Sequence, residues 1–288
     1  MKIMLKKFLI KILLIQLIGL SFFKMKKLNA FIPYYNLPSK TFLNIKGSEI
    51  GKNAYQLLYF GQFNEGLALA KLAISLNPEN ENLWALLAEA QINNKLFDEA
   101  LLSIEKGKSI NPSISELYFA EGSIYLSQNK KQKAKKSLDK GLEIQPKNVN
   151  ALFQYGNIYL MEKNYEKALL KYNNIIEIRA NFWQAINNKG LIYIELDDIQ
   201  SAINSFEKAI KIKKNAESML ALAVTLQNTD KEKSILLVKE ALRKNPNYVS
   251  FEFRKEQLWG DKLQKATKEL FRIEELKQDI SLANLYKN

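Results

Sequence analysis

Three prolines, Pro78, Pro112 and Pro146, recur at intervals of 34 residues, each near the end of an amphipathic helical pattern. A fixed period of that length constrains the chain more than any total does. A unit of two short helices cannot bury its apolar face alone and must stack on its neighbours. Counting each proline as position 32 starts the units at Gly47, Glu81, Ser115, Val149 and Trp183, with a shorter sixth from Glu217 marked by Leu220, Ala241 and Pro246. Position 8 is then Ala54, Ala88, Gly122, Gly156 and Gly190, and position 20 is Gly66, Ala100, Ala134, Ala168 and Ala202. Small residues at both places let two helices approach closely. Large ones fill the complementary places: Tyr125, Tyr159 and Tyr193 at position 11, Phe63, Phe97 and Tyr165 at 17, and Leu138, Tyr172 and Phe206 at 24. Their spacing puts them on the buried stripe of each helix, so these aromatics are core. The period predicts an all-α chain, a solenoid of about six helix-turn-helix repeats over residues 47–248.

Trp84 and Tyr118 stand at position 4, small residues at 8 and 20, tyrosines at 11, aromatics at 24 and prolines at 32. In these features the array resembles the tetratricopeptide repeat (TPR) family. Ala180 and Lys214 replace proline at the ends of the fourth and fifth units. The resemblance implies a right-handed α-solenoid whose groove, lined by the first helix of each unit, binds polypeptides mainly through positions 2, 5, 9, 12 and 13. Carried onto this chain, the groove candidates are Glu89, Asn93, Phe119, Ser123, Phe153, Asn157, Gln184, Asn187 and Leu191. Phe119 and Phe153 would be apolar anchors with amides beside them, a lining suited to an extended or helical polypeptide. The family's chaperone-binding members hold a C-terminal carboxylate with lysine, asparagine and arginine. Asn157 and Asn188 match the two asparagines of that clamp, but Phe153, Ser218 and Leu222 occupy its basic positions, which disfavours a co-chaperone.

The chain has no cysteine and no histidine, which excludes disulfides, thiol nucleophiles, histidine bases and zinc sites built from Cys or His. Gly107-Lys108-Ser109 imitates the end of a nucleotide-binding loop, but Leu102 stands where the first glycine is required. The chain therefore reads as a non-enzymatic scaffold, with no cofactor, metal or small-molecule substrate expected and a protein or peptide as partner.

The net charge of +13 is concentrated at one end. Residues 1–27 hold Lys2, Lys6, Lys7, Lys11, Lys24, Lys26 and Lys27 with no acid, which leaves +6 for the rest. The densest patch elsewhere is Asn129–Lys136, NKKQKAKK. A soluble nucleic-acid-associated protein using such patches is the alternative function, but no aromatic is interleaved with the lysines, and nucleic acid is the weaker partner.

Residues 1–27 form a basic-hydrophobic leader whose apolar run, Phe8–Phe23, is interrupted by Lys11 and Gln16. It falls short of the roughly 20 residues of a spanning helix and suits the core of a signal peptide. The leader predicts a membrane-associated or exported protein, through a cleaved signal or a retained anchor. Initiation at Met25 would instead leave a cytoplasmic one. Residues 28–46, with Pro33 and Pro38 among Tyr34, Tyr35 and Phe42, read as an extended connector. Beyond the array, Trp259, Leu263, Ala266, Leu270 and Ile273 recur at helical spacing and predict one capping helix within residues 249–288. Leader, connector, array and the block Phe253–Gly260 (FRKEQLWG) together are similar to membrane-associated repeat proteins of oxygenic phototrophs, which implies service in assembling a larger complex.

Overall fold

A computed structural model describes residues 37–287; the leader and residues 28–36 lie outside them. The described residues form helices and no strand. Six antiparallel hairpins follow one another: α1 (Lys40–Tyr59) with α2 (Phe63–Leu76), α3 (Glu81–Asn93) with α4 (Phe97–Ile110), and α5 (Ser115–Ser127) with α6 (Lys131–Ile144). They continue with α7 (Val149–Met161) and α8 (Tyr165–Ile178), α9 (Trp183–Glu195) and α10 (Ile199–Ile212), and α11 (Ala216–Leu226) and α12 (Lys231–Lys244). Each hairpin also packs on the next, so the apolar face that one unit cannot cover is covered by its neighbour, and the chain is an α-solenoid.

The turn within each hairpin has one recurring device. Position 15 of the first five units, Gly61, Lys95, Asn129, Lys163 and Asp197, is left-handed, with φ between 56° and 78°. Only the first is glycine, so the other four accept a backbone that L side chains disfavour. The return helix is bound to the first helix closely enough to hold them there.

That close approach follows from paired volumes. Where position 8 is glycine, position 24 is large: a Cβ on Gly122, Gly156 or Gly190 would press on Leu138, Tyr172 or Phe206 respectively, at 2.5–3.0 Å. Where position 8 is Ala54, position 24 shrinks to Ala70, and opposite Ala88 it is the aliphatic Ile104 rather than a ring. All five residues at position 24 are sealed from solvent. Neighbouring units are also tied by hydrogen bonds. Trp84 Nε1 donates to the carbonyl of Pro78 (2.8 Å), and the Tyr118 hydroxyl donates to that of Pro112 (3.0 Å), which joins position 4 of one unit to position 32 of the one before.

Both ends of the array depart from the sequence expectation. The first helix begins at Lys40, seven residues before the start of the unit at Gly47, so residues 40–46 are helix rather than extended connector. Ser39 caps the start, its Oγ accepting the Phe42 N–H (3.2 Å), Pro38 holds Leu37 out of helical conformation, and no breaker follows.

At the other end, the single capping helix is replaced by short pieces: a 3-10 turn at Pro246–Val249, α13 (Phe251–Glu256), α14 (Asp261–Leu270), a second 3-10 turn at Glu274–Leu276, and α15 (Lys277–Tyr286). Leu258, at φ 66°, ends α13, and Gly260 begins α14, so Trp259 sits between helices instead of on one. The apolar stripe still works as a lid: Trp259, Leu263 and Leu270 are buried and Ala266 and Ile273 partly so. It covers two surfaces. α14 packs on α9 and α11, the first helices of units five and six, and α15 packs on α12.

Candidate functional site: a groove open at one end and closed at the other

The first helices of successive units share one face, and over the first three units that face is open. A cleft of about 460 Å³ is lined by Tyr55 from α1, by Asn82, Ala85, Leu86, Glu89, Ile92 and Asn93 from α3, and by Glu116, Ala120 and Ser123 from α5. On α3 the lining repeats positions 2, 5, 9, 12 and 13, because those places fall on one side of a helix of 3.6 residues per turn. Three expected groove residues, Glu89, Asn93 and Ser123, are brought together there. Tyr55, Asn82 and Glu116 join them; they were missed although they hold positions 9, 2 and 2 of their own units, which was the signal for them.

The cleft is acidic. Glu89 remains reachable from solvent and makes no hydrogen bond or ion pair among the described residues, yet enough protein surrounds its carboxyl that burial pushes its pKa upward. Glu116 accepts the Ser115 hydroxyl (3.0 Å). No lysine or arginine lines the cleft, in a chain of net charge +13. Ser123 donates to the carbonyl of Phe119 (3.0 Å) and accepts from Gln154 Nε2 (2.9 Å), which ties the floor of the cleft to the fourth unit.

The remaining expected residues are placed otherwise. The Phe119 ring lies against Gly141, and Phe153 packs edge-on against Phe182, with ring centres 5.3 Å apart, and beside Tyr172. Both rings are half-buried and rest against their own units, Phe119 on the second helix of the third unit and Phe153 on the second helix and closing turn of the fourth. Asn157 accepts from the Tyr172 hydroxyl (2.7 Å) and from Asn188 Nδ2 (3.0 Å). Gln184 is half-buried at the start of α9. Asn187 and Leu191 are each only 1% exposed, so the structure places them inside the chain.

They are inside because the C-terminal segment lies over them. Lys262 bonds through its backbone N–H to Glu195 Oε1 (3.0 Å) and through Nζ to the Glu195 carbonyl (2.9 Å), while Lys163 pairs with Asp261 (2.8 Å). Beneath this strap Asn187 donates to Glu217 Oε1 (2.9 Å) and accepts from the Ser218 hydroxyl (2.7 Å). Enclosure pushes the Glu217 carboxyl up to about 7, against donation from Asn187 and the nearby Trp259 and Tyr248. The Trp259 N–H points towards it without closing a hydrogen bond of ordinary geometry. Burial and Glu217 together raise the Tyr248 phenol as well.

Family models described as tetratricopeptide repeat match residues 57–118, 115–148, 137–169 and 184–216, about half of the chain. The chain belongs to the tetratricopeptide repeat family. Its TPR fold is shared with solved structures at low identity. PilW, a widely conserved type IV pilus biogenesis factor, matches with TM-score 0.61 and 18% identity over 73% of this chain and 97% of its own. The Cut9–Hcn1 hetero-tetramer of APC/C matches with TM-score 0.63 and 14% identity over 80% of this chain and 46% of the other. YrrB, a TPR protein with an unusual peptide-binding site, matches with TM-score 0.52 and 18% identity over 70% and 98%. No curated protein sequence matches the chain.

Membership in the TPR family makes the chain a protein-interaction scaffold. The carboxylate clamp of some TPR proteins has no free counterpart here: Asn157 and Asn188 are bonded to each other and to Tyr172, and Ser218 and Leu222 are buried. The lysine patch outside the groove is partly engaged within the chain as well. Lys135 pairs with Glu162 (2.8 Å), Lys133 lies over the Tyr125 ring, and Lys130 donates to Gln128 (2.7 Å). Among the described residues no cluster of three or more His, Cys, Asp or Glu could hold a metal, and no helix is long and apolar enough to cross a membrane. The leader lies outside those residues.

Proposed function

We propose that this TPR protein is a non-enzymatic scaffold that holds a polypeptide segment in the cleft of its first three repeats, and that the segment carries lysine or arginine beside apolar side chains. The observation that carries this reading is the cleft itself: two carboxylates, two amides and Tyr55 around an apolar floor, with no cation among its lining residues. A peptide ammonium or guanidinium would supply Glu89 with the counter-charge it lacks, and pairing in a partly desolvated cleft is worth more than on an open surface. The leader over residues 1–27 supports a place at a membrane or beyond it, and the TPR architecture supports service in assembling a larger complex.

The test compares full-length protein with its Glu89→Lys, Asn93→Ala double variant in affinity capture from the native membranes, with the mature N-terminus sequenced on the same sample. Loss of the captured partner in the variant, at unchanged helicity, is the expected result. Equal capture by both proteins removes the cleft as the binding site, and recovery of the uncleaved chain wholly in the soluble fraction removes the membrane part.

A further inference from the structure

The C-terminal lid carries a second, oppositely charged cavity. Arg254, only 4% exposed, donates Nε to Gln264 Oε1 (2.9 Å) and Nη1 to the carbonyls of Tyr248 (2.7 Å) and Val249 (3.0 Å). All three acceptors are neutral. The guanidinium also stacks beside Phe271 and Trp259, with ring centres 5.3 and 5.9 Å away, and no carboxylate among the described residues touches it. A cation buried without a counter-ion is costly, and burial lowers the Arg254 pKa to about 10.

The remaining nitrogen, Nη2, has no hydrogen-bond partner among the described residues and is not sealed from solvent. Arg254 lines a cavity of about 640 Å³ with Val249, Phe251 and Phe271 as apolar walls. Lys265, Lys268 and Arg272 complete the rim at helical spacing on one side. Neither lysine forms an ion pair among the described residues. The rim's one acid, Asp261, is held by Lys163.

We infer that this cavity is a binding site for a carboxylate carried on an apolar body, namely an acidic segment of a partner polypeptide with aromatic or aliphatic side chains beside its aspartate or glutamate. A planar carboxylate matches the guanidinium fork and would neutralise the buried Arg254 charge. Val249, Phe251 and Phe271 would bury the neighbouring side chain. The site lies outside the repeats and has the opposite charge to the cleft of the first three, so one scaffold would take two chemically distinct segments.

The test titrates full-length protein with a fluorescent peptide alternating leucine and phenylalanine with aspartate and glutamate, against the same peptide carrying asparagine and glutamine. The acidic peptide should bind at least about tenfold more tightly, as a charge-assisted fork requires. The Lys265→Ala, Lys268→Ala variant, altered only at exposed positions, should lose about tenfold in affinity, and Arg254→Lys should lose at least as much. The Lys106→Ala, Lys211→Ala variant, altered at two exposed lysines that line neither cavity, should leave it unchanged, which separates this site from general surface charge. Equal affinity for the acidic and amide peptides overturns the inference, as does unchanged affinity in the double lysine variant. Lysine-dependent retention of phosphatidylglycerol vesicles or inorganic phosphate in place of the peptide overturns the peptide assignment.

Discussion

Glu89 and Glu217 both sit on the first-helix face, four repeats apart, and they live in different worlds. Glu89 lines a cleft open to solvent and has no partner among the described residues. Glu217 is roofed by Trp259 and Tyr248 and holds its proton to about pH 7. The two ends share a repeat template, so the template does not decide which part of a TPR face is available. What decides it is a segment of some forty residues beyond the array, folded back over units five and six.

Removing the roof should have the largest effect. Trp259→Ala deletes a buried indole packed near Tyr248 and Arg254, and should cost about 3–5 kcal/mol in denaturant unfolding. If the two halves are independent, affinity at the acidic cleft should move by less than about twofold. A large loss there would show that the lid supports the whole array.

The next effect is a pH dependence confined to the closed half. Glu217 binds its proton more tightly folded than unfolded, with a pKa of about 7 against an ordinary 4.5. Its contribution is therefore complete below about pH 4.5 and is lost as pH rises through 7. Glu217→Gln keeps the shape and the bond from Asn187 while removing the charge. It should match the parent at pH 4 and exceed it by up to about 3 kcal/mol at pH 8, read from paired melting curves. Identical pH profiles would mean that the carboxyl is not enclosed.

Smaller again is the strain from filling a paired volume. Gly190→Ala drives a methyl into the Phe206 ring and should destabilise by about 1–3 kcal/mol, whereas Ala88→Gly in the open half should cost about 1 kcal/mol through helix propensity. The smallest effect on stability belongs to Glu89→Gln, within about 0.5 kcal/mol, because no described residue pairs with it. The same change should weaken a lysine-bearing peptide several-fold, since the charge is free for the ligand.

The hairpins were legible from spacing because Gly156 and Tyr172, or Gly190 and Phe206, lie sixteen residues apart in one unit and must meet if the helices pair. Glu89, Asn93 and Ser123 were legible for the same reason, since a helical position fixes a face. Phe119 and Phe153 looked like ligand anchors from position alone. The structure packs each ring within its own unit instead, Phe119 over Gly141 and Phe153 against Phe182. Asn187 and Leu191 were hidden by residues seventy positions further on, and no local period carries that information.

The sequence by itself determined the α-solenoid, the register of its units and the sealed residues at positions 8, 20 and 24, because short-range periodicity sets how each helix buries itself; the aromatics at 11 and 17 are only partly covered, and Phe63 is exposed. Only the tertiary structure decided where that face is open. Closure depends on how Trp259 and α14 pack across units five and six, a long-range contact that the turn at Leu258 and Gly260 permits and that no repeat pattern encodes.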